Sequence, residues 1–338
     1  MSQLSLQARI FGKEGSLVKM ENTRVIMPLP SILNLIDSIL PVILEPFIDR
    51  VFPVPPGVWI GARKKTQTLE TSHGLSLVIE KSLDLESVGA VGQSDVRAFF
   101  DSVHLLRVFE CLVRKGLCRV VAAACIRQQL CCNIRIHIGS SCAVIGERCI
   151  GSLTGSRLAG MAARVPIMDL CTSRGGFWER DGFYTPSGII TMSTFVDNLF
   201  AAGRSCAAVS RILDDAEDYL STEWGLHIKP SSRAILVPDH CSDVSTNDDE
   251  KWPVVLKMKV LGHWLQRDGG VDQCFNDMLK CIWKAFFANC VGAELSRLLV
   301  KARITLLLPS VVPILRLKWT RWPFTISKAL HWMLYNAE

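Results

Sequence analysis

The stretch Ser94-Asp95-Val96-Arg97-Ala98-Phe99-Phe100-Asp101-Ser102-Val103 places a carboxylate at the end of an apolar run, with an aromatic ring and a second carboxylate just beyond it. About a hundred residues later, Ser193-Thr194-Phe195-Val196-Asp197-Asn198-Leu199-Phe200 sets another aspartate between two hydrophobic segments. Two aspartates distant in sequence, each at a strand end, can share a pair of divalent cations, which is the arrangement that in-line phosphoryl or nucleotidyl transfer needs.

The pattern around these two stretches predicts an α+β chain. Apolar residues recur at helical spacing from Ser31 to Val51 (Ile32, Leu35, Ile36, Ile39, Leu40, Ile43), with a break at Pro41, and Phe52 to Gly57 closes that unit. Thr68 to Ser87 reads as a helix feeding the strand before Asp95, and a long helix is expected from about Ser102 to Leu130. Alternation over Asn133–Ile138 and Ala143–Ile150 around Gly139-Ser140-Ser141 predicts a hairpin. A glycine-bearing loop then enters a helix at Gly151–Met168, two strands flank the turn Val196-Asp197-Asn198, and Cys206–Trp224 reads as a helix stopped by Gly225. Strands over Ile235–Val237 and Val254–Trp264 precede a helical remainder. The order β-α-ββ-α-β-β-α-β is that of a ferredoxin-like split βαβ with additions, which puts both aspartates on neighbouring strands.

With 338 residues and 49% hydrophobic content the chain can bury a large core, which excludes a disordered polypeptide. A net charge of +6 suits a polyanionic partner without specifying one. Thirteen cysteines with no CxxC pair spell out neither a disulfide framework nor a zinc site, so buried free thiols in a reducing, intracellular compartment are expected. No secretory leader is apparent, and apolar stretches such as Ile304–Leu315 carry prolines and fall short of a membrane span, so no membrane partner is expected.

Five motifs in order resemble the polymerase domain of reverse transcriptases, closest in pattern to those of non-LTR retrotransposons and group II introns. The resemblance covers about Ile10 to Phe324. Asp95 to Val103 is similar to the family's aspartate, four variable residues, aromatic and aspartate, which makes Asp95 a metal ligand and Phe100 the steric gate under the sugar that disfavours a 2′-hydroxyl. Phe195-Val196-Asp197-Asn198 stands at the aromatic, variable, Asp, Asp turn. Asp197 matches the principal ligand, while Asn198 exchanges a charge for an amide. A unit charge 4 Å away is worth about 4 kcal/mol at an effective dielectric of 20, so this exchange should weaken cation binding.

Gly151-Ser152-Leu153-Thr154-Gly155 resembles the Gly-rich loop at the template and incoming nucleotide. Thr154 replaces its glutamine, and Ala159-Gly160 replace a following Ser-Pro. Lys13 and Arg24 have the spacing of the basic residues that hold the triphosphate. Trp224 to Arg233 is similar to a motif in which a cation protonates departing pyrophosphate. Lys229 stands where asparagine is expected and Ser232 where the lysine is, which makes Lys229 the substitute acid. Val260-Leu261-Gly262 resembles the primer-grip hairpin. Lys280, Lys284, Lys301 and Arg303 then lie in a helical region similar to the thumb, which rests on the duplex.

The resemblance implies a right-hand polymerase: fingers over residues 1–92, a ferredoxin-like palm over 93–265 with a finger insertion at about 103–150, and a thumb-like helical region over 266–338. It implies an RNA template, a DNA primer, deoxynucleoside triphosphates and two Mg²⁺ ions, with Mn²⁺ as the substitute. Two rival readings are a decayed or repurposed copy that binds nucleic acid without polymerising, and an RNA-directed RNA polymerase, against which Phe100 argues. The helical pattern running into Glu338 leads us to expect a fragment of a longer protein, with no segment for an endonuclease or ribonuclease H domain.

Overall fold

The computed structural model describes residues 4–12, 23–26, 31–63, 66–85, 89–130, 132–138, 141–145, 150–153, 155–186, 188–240, 251–290 and 298–314. Its elements, in chain order, begin with strands β1 (Leu4–Gly12) and β2 (Thr23–Ile26), helix α1 (Ser31–Val51), β3 (Val58–Ile60), α2 (Thr68–Asp84) and β4 (Ala90–Asp95). There follow helices α3 (Phe99–Ser102), α4 (Leu105–Arg114) and α5 (Arg119–Leu130), the hairpin β5 (Cys132–Ile138) and β6 (Ser141–Ile145), and the long helix α6 (Arg157–Trp178). The chain continues through β7 (Phe183–Thr185), β8 (Gly188–Ile190), β9 (Met192–Phe195), β10 (Asn198–Gly203) and α7 (Cys206–Tyr219). It proceeds with β11 (Ala234–Leu236), β12 (Val254–Val255), β13 (Lys257–Val260), β14 (His263–Gln266), α8 (Asp272–Cys290) and α9 (Val300–Ser310).

A six-stranded sheet runs in the order β12-β11-β4-β10-β9-β3. Its inner four strands, joined along the chain as β4-α6-β9-β10-α7-β11, have the strand order of a ferredoxin-like βαββαβ unit, so Asp95 and Asp197 do sit at the ends of adjacent strands. The hairpin β5–β6 is outside this sheet. It forms a separate one, β2-β1-β5-β6, in which β5 lies parallel to β1 with Leu4 opposite Cys132. A partner strand more than a hundred residues upstream leaves no local signature.

By packing, the chain divides into two compact units, Met1–Lys64 with Gly92–Arg233, and Lys65–Val91 with Ala234–Glu338. The first has α6 at its centre, in contact with α1, α4 and α7, and fourteen of its residues are buried, Leu158, Ala162, Val165 and Met168 among them. In the second, α8 packs on α9 and on β14, and β11 contacts β13.

Two helix expectations are corrected. The stretch from Ser102 to Leu130 starts at the last residue of α3 and holds two further helices, α4 and α5, because Val103 is extended (ψ 121°) and Gly116 takes a left-handed φ of 101°. The apolar spacing of Leu105, Val108, Phe109 and Leu112 runs on to Leu117 and hides both breaks. Conversely, α1 runs unbroken through Pro41 and Pro46. An interior proline costs a helix about 3 kcal/mol, which here is offset by docking on α6.

The face of α1 that is buried also differs from the apolar stripe in the sequence. Asp37, Leu44 and Ile48 point inward, while Ile32, Leu35, Ile39, Val42 and Ile43 face outward. At 21 residues α1 is long and apolar enough to cross a bilayer by length and composition, which the sequence reading did not anticipate. Cys111, Cys125 and Cys171 are buried free thiols, and burial pushes Cys125 and Cys171 up to about 12.

Candidate nucleotidyl-transfer site

The carboxylate site is assembled from three chain segments by backbone hydrogen bonds. β4 carries Asp95 to its end, and just beyond it Val96 N donates to the Asp197 carbonyl at 3.0 Å, tying the strand to the β9–β10 turn. Arg97 N donates to the His227 carbonyl and Lys229 N to the Asp95 carbonyl, both at 2.8 Å. Asp95 N donates to Ser232 Oγ at 2.9 Å, and that hydroxyl donates onward to the Lys229 carbonyl. Val196, the residue ahead of Asp197, has φ +59°. A β-branched side chain there costs about 1–3 kcal/mol, strain that the Val96–Asp197 bond helps to hold.

The electrostatics follow from this crowding. The Asp95 carboxyl is pushed up to about 6, first by burial, then by the Asp197 carboxylate facing it, against the opposing pull of the Lys229 cation. Its Oδ1 is buried and receives no hydrogen bond. A buried carboxylate with an orphaned oxygen, set against a second carboxylate, fits a divalent cation, which would satisfy that oxygen and remove the repulsion together. Among the described residues no cluster of three or more His, Cys, Asp or Glu side chains forms, so protein carboxylates for such an ion come from this pair. Asn198 is directed at the same place: its Nδ2 donates to Asp197 Oδ1 at 3.0 Å.

Beside the carboxylates runs the glycine-bearing loop. Gly151 and Gly155 take left-handed φ values of 83° and 107° that favour glycine. Gly151 N donates to the Val103 carbonyl at 2.9 Å and Ser152 N to the Phe100 carbonyl at 2.8 Å, which joins the loop to the segment after Asp95. The half-buried Phe100 ring packs edge-on against Phe99, with centroids 5.7 Å apart.

On its other side the loop meets residues absent from the sequence-level list. Gln129 Oε1 accepts from Leu153 N at 3.0 Å, and its Nε2 donates to Ser156 Oγ at 2.8 Å. Ser156 caps α6 by accepting from Ala159 N. Asp37 on α1 is 1% exposed; its carboxylate accepts from Gln128 Nε2, Ser156 Oγ, Arg157 N and Leu158 N. Asp37 is an acid inside an otherwise aliphatic helical stretch, which is the signal that could have marked it.

The structure therefore gathers Asp95, Asp197, Asn198, Lys229, Phe100, Gly151 and Gly155 within the first unit. Arg24 is elsewhere, on β2 in the other sheet opposite Phe11, and its side chain is outside the described residues. Lys13 and Thr154 also lie outside them. In the second unit, Gly262 (φ 89°) makes the β13–β14 turn, and Lys257 and Lys259 lie over the Trp264 ring at 5.6 and 5.3 Å, a basic and aromatic face that the sequence reading missed. Lys280 and Lys284 are exposed one turn apart on α8 beside the exposed Trp283, and Lys301 is exposed on α9. Arg303 is also on α9, its side chain outside the described residues.

No family model and no curated protein matches this sequence. Solved structures do. Apo telomerase from Candida tropicalis aligns with a TM-score of 0.54 at 9% identity over 93% of this chain and 58% of that one. Telomerase from Candida tropicalis in complex with a TWJ fragment of telomeric RNA gives 0.53 at 11% identity, over 93% and 55% of the two chains. The Candida albicans telomerase in complex with a TWJ fragment of telomeric RNA gives 0.51 at 11%, over 98% and 59%. This chain spans somewhat over half the length of those proteins. At such identities the likeness is one of backbone architecture, and what it establishes is that this chain has a reverse-transcriptase-like fold.

Proposed function

We propose that the chain is the polymerase domain of a reverse transcriptase of retroelement origin, an RNA-directed DNA polymerase that extends a primer by nucleotidyl transfer. The observation that carries this reading is the meeting of Asp95 and Asp197, a hundred residues apart, on adjacent strands of a ferredoxin-like sheet in a reverse-transcriptase-like fold. In it the six-stranded sheet is the palm, the segments before it the fingers and α8–α9 a thumb. The telomerase neighbours solved with an RNA fragment support an RNA partner, and the motif order supports a non-LTR or group II type.

Asp95 and Asp197 would hold two Mg²⁺ ions, whose chemistry is to make the primer 3′-hydroxyl a better nucleophile and to neutralise the departing pyrophosphate. Ser232 and the Lys229 backbone fix the Asp95 main chain, and so the direction of its carboxylate. The exposed Lys229 cation stands near enough to lower the Asp95 carboxyl, and in this reading would give a proton to the leaving group. Gly151 and Gly155 leave room for the backbone to approach nucleotide, and Phe100 excludes a 2′-hydroxyl.

Extension of a labelled DNA primer on an RNA template in Mg²⁺ tests the reading. Asp95→Asn and Asp197→Asn should each lower the rate by roughly a thousandfold, about 4 kcal/mol of transition-state stabilisation. Unchanged activity in both would overturn it. A second reading, nucleic-acid binding without polymerisation, draws on the Asn198 amide that occupies Asp197 Oδ1. Template–primer binding with no incorporation in either Mg²⁺ or Mn²⁺ would select it.

A further inference from the structure

The Gly151–Gly155 loop has two attachments of different kinds. Toward the segment after Asp95 its bonds run to main-chain carbonyls, Gly151 N to that of Val103 and Ser152 N and Oγ to that of Phe100. Toward the interior it is held by side chains from two other elements, Gln129 at the end of α5 and Asp37 in the middle of α1. Gln129 is 0% exposed and Asp37 1%, so neither group can exchange these bonds for water. Gln129 uses its acceptor on the loop and its donor on the helix cap, and Asp37 takes the two main-chain N–H groups that open α6. Leu153 of the loop and the first turn of α6 are therefore tied through Ser156 into one buried network. The loop's bonds to the Val103 and Phe100 carbonyls tie that network to the segment that carries the Phe100 ring.

We infer that Gln129 and Asp37 are positioning residues for the incoming nucleotide, locking the loop against Phe100 and so setting both the affinity for a deoxynucleoside triphosphate and the discrimination against its ribose counterpart. The inference rests on the nucleotidyl-transfer reading. It concerns residues that touch neither nucleotide nor cation and act through the loop.

The test compares Gln129→Leu and Asp37→Asn with Leu44→Ala, a buried α1 residue whose side chain has no hydrogen-bonding group and which supplies a destabilising control. In primer extension, both polar variants should raise KM for the deoxynucleotide about tenfold with kcat within about twofold, and narrow the deoxy-over-ribo preference, whereas Leu44→Ala leaves both ratios unchanged. By hydrogen exchange, the amides of Leu153, Arg157 and Leu158 should exchange faster in the polar variants and at the wild-type rate in the control. Unchanged KM and selectivity in Gln129→Leu would overturn the inference, as would an equal KM rise in Leu44→Ala. Failure of wild-type protein to extend any primer overturns the polymerase reading itself and is seen before any variant is made. Unchanged exchange at Leu153 overturns the locked loop in either case.

Discussion

Asn198 Nδ2 donates to Asp197 Oδ1 at 3.0 Å, so the neighbouring amide occupies an oxygen that a cation held there would need. Asn198→Asp removes that donor and adds a charge to the site. Mg²⁺ affinity, followed by titration of primer extension, should rise at least tenfold, and the metal-free protein should lose stability as three carboxylates crowd together. An unchanged Mg²⁺ requirement would count against cation binding at Asp197.

Asp95 makes the metal-free fold lose stability as pH rises from about 4 to about 6. Its folded carboxyl titrates at about 6, above the usual 3.8, so the proton it holds favours folding at low pH and this contribution is lost as pH rises through 6. Asp95→Asn should therefore raise the Tm of metal-free protein at pH 8, by about 2 °C for a gain of order 1 kcal/mol after allowance for partial exposure, and leave it nearly unchanged at about pH 3, below the range in which the proton is lost. Calorimetry in chelator at the two pH values decides this.

Asp181 has the opposite sign. Its buried carboxylate accepts a two-pronged bond from Arg211, with Arg180 and Arg204 close by, and that bond first of all holds its carboxyl below the usual range. The stability it supplies is present above about pH 4 and is lost as pH falls below it. Asp181→Asn should cost about 1–3 kcal/mol in urea unfolding at pH 7 and much less at pH 3.

Phe100→Val shortens the ring that leans on Phe99. Ribonucleotide incorporation relative to deoxyribonucleotide should increase by at least tenfold, about 1.4 kcal/mol, in competition assays with both substrates. An unaltered ratio would show that Phe100 does not lie under the sugar.

The sheet that carries Asp95 and Asp197 was legible because its strands are short apolar runs ended by turn residues, and because Gly225 stops the second helix with a left-handed φ of 65°. The hairpin at β5–β6 was legible as a hairpin, but its alliance with β1 depends on a contact over more than a hundred residues. Phe100 and Gly151 could be named because their motifs resemble those of a known family, whereas Gln129 and Ser156 are ordinary polar residues that stand out only by being buried together. The orientation of α1 misled most. Its aliphatic spacing pointed to Ile32, Leu35 and Ile36, yet docking turned Asp37 inward because four donors wait there.

The bonds from Asp37 to Ser156 and Arg157 span 119 and 120 residues of chain. Closing so long a loop costs entropy that is recovered only once α1 and α6 are both formed and docked, so these bonds belong to the late, native side of the folding barrier. The two aspartates can be brought together by the sheet before then. Substitutions at Asp37 should accordingly quicken unfolding while leaving the refolding rate almost unchanged, and the glycine loop should be the last part of the site to take shape.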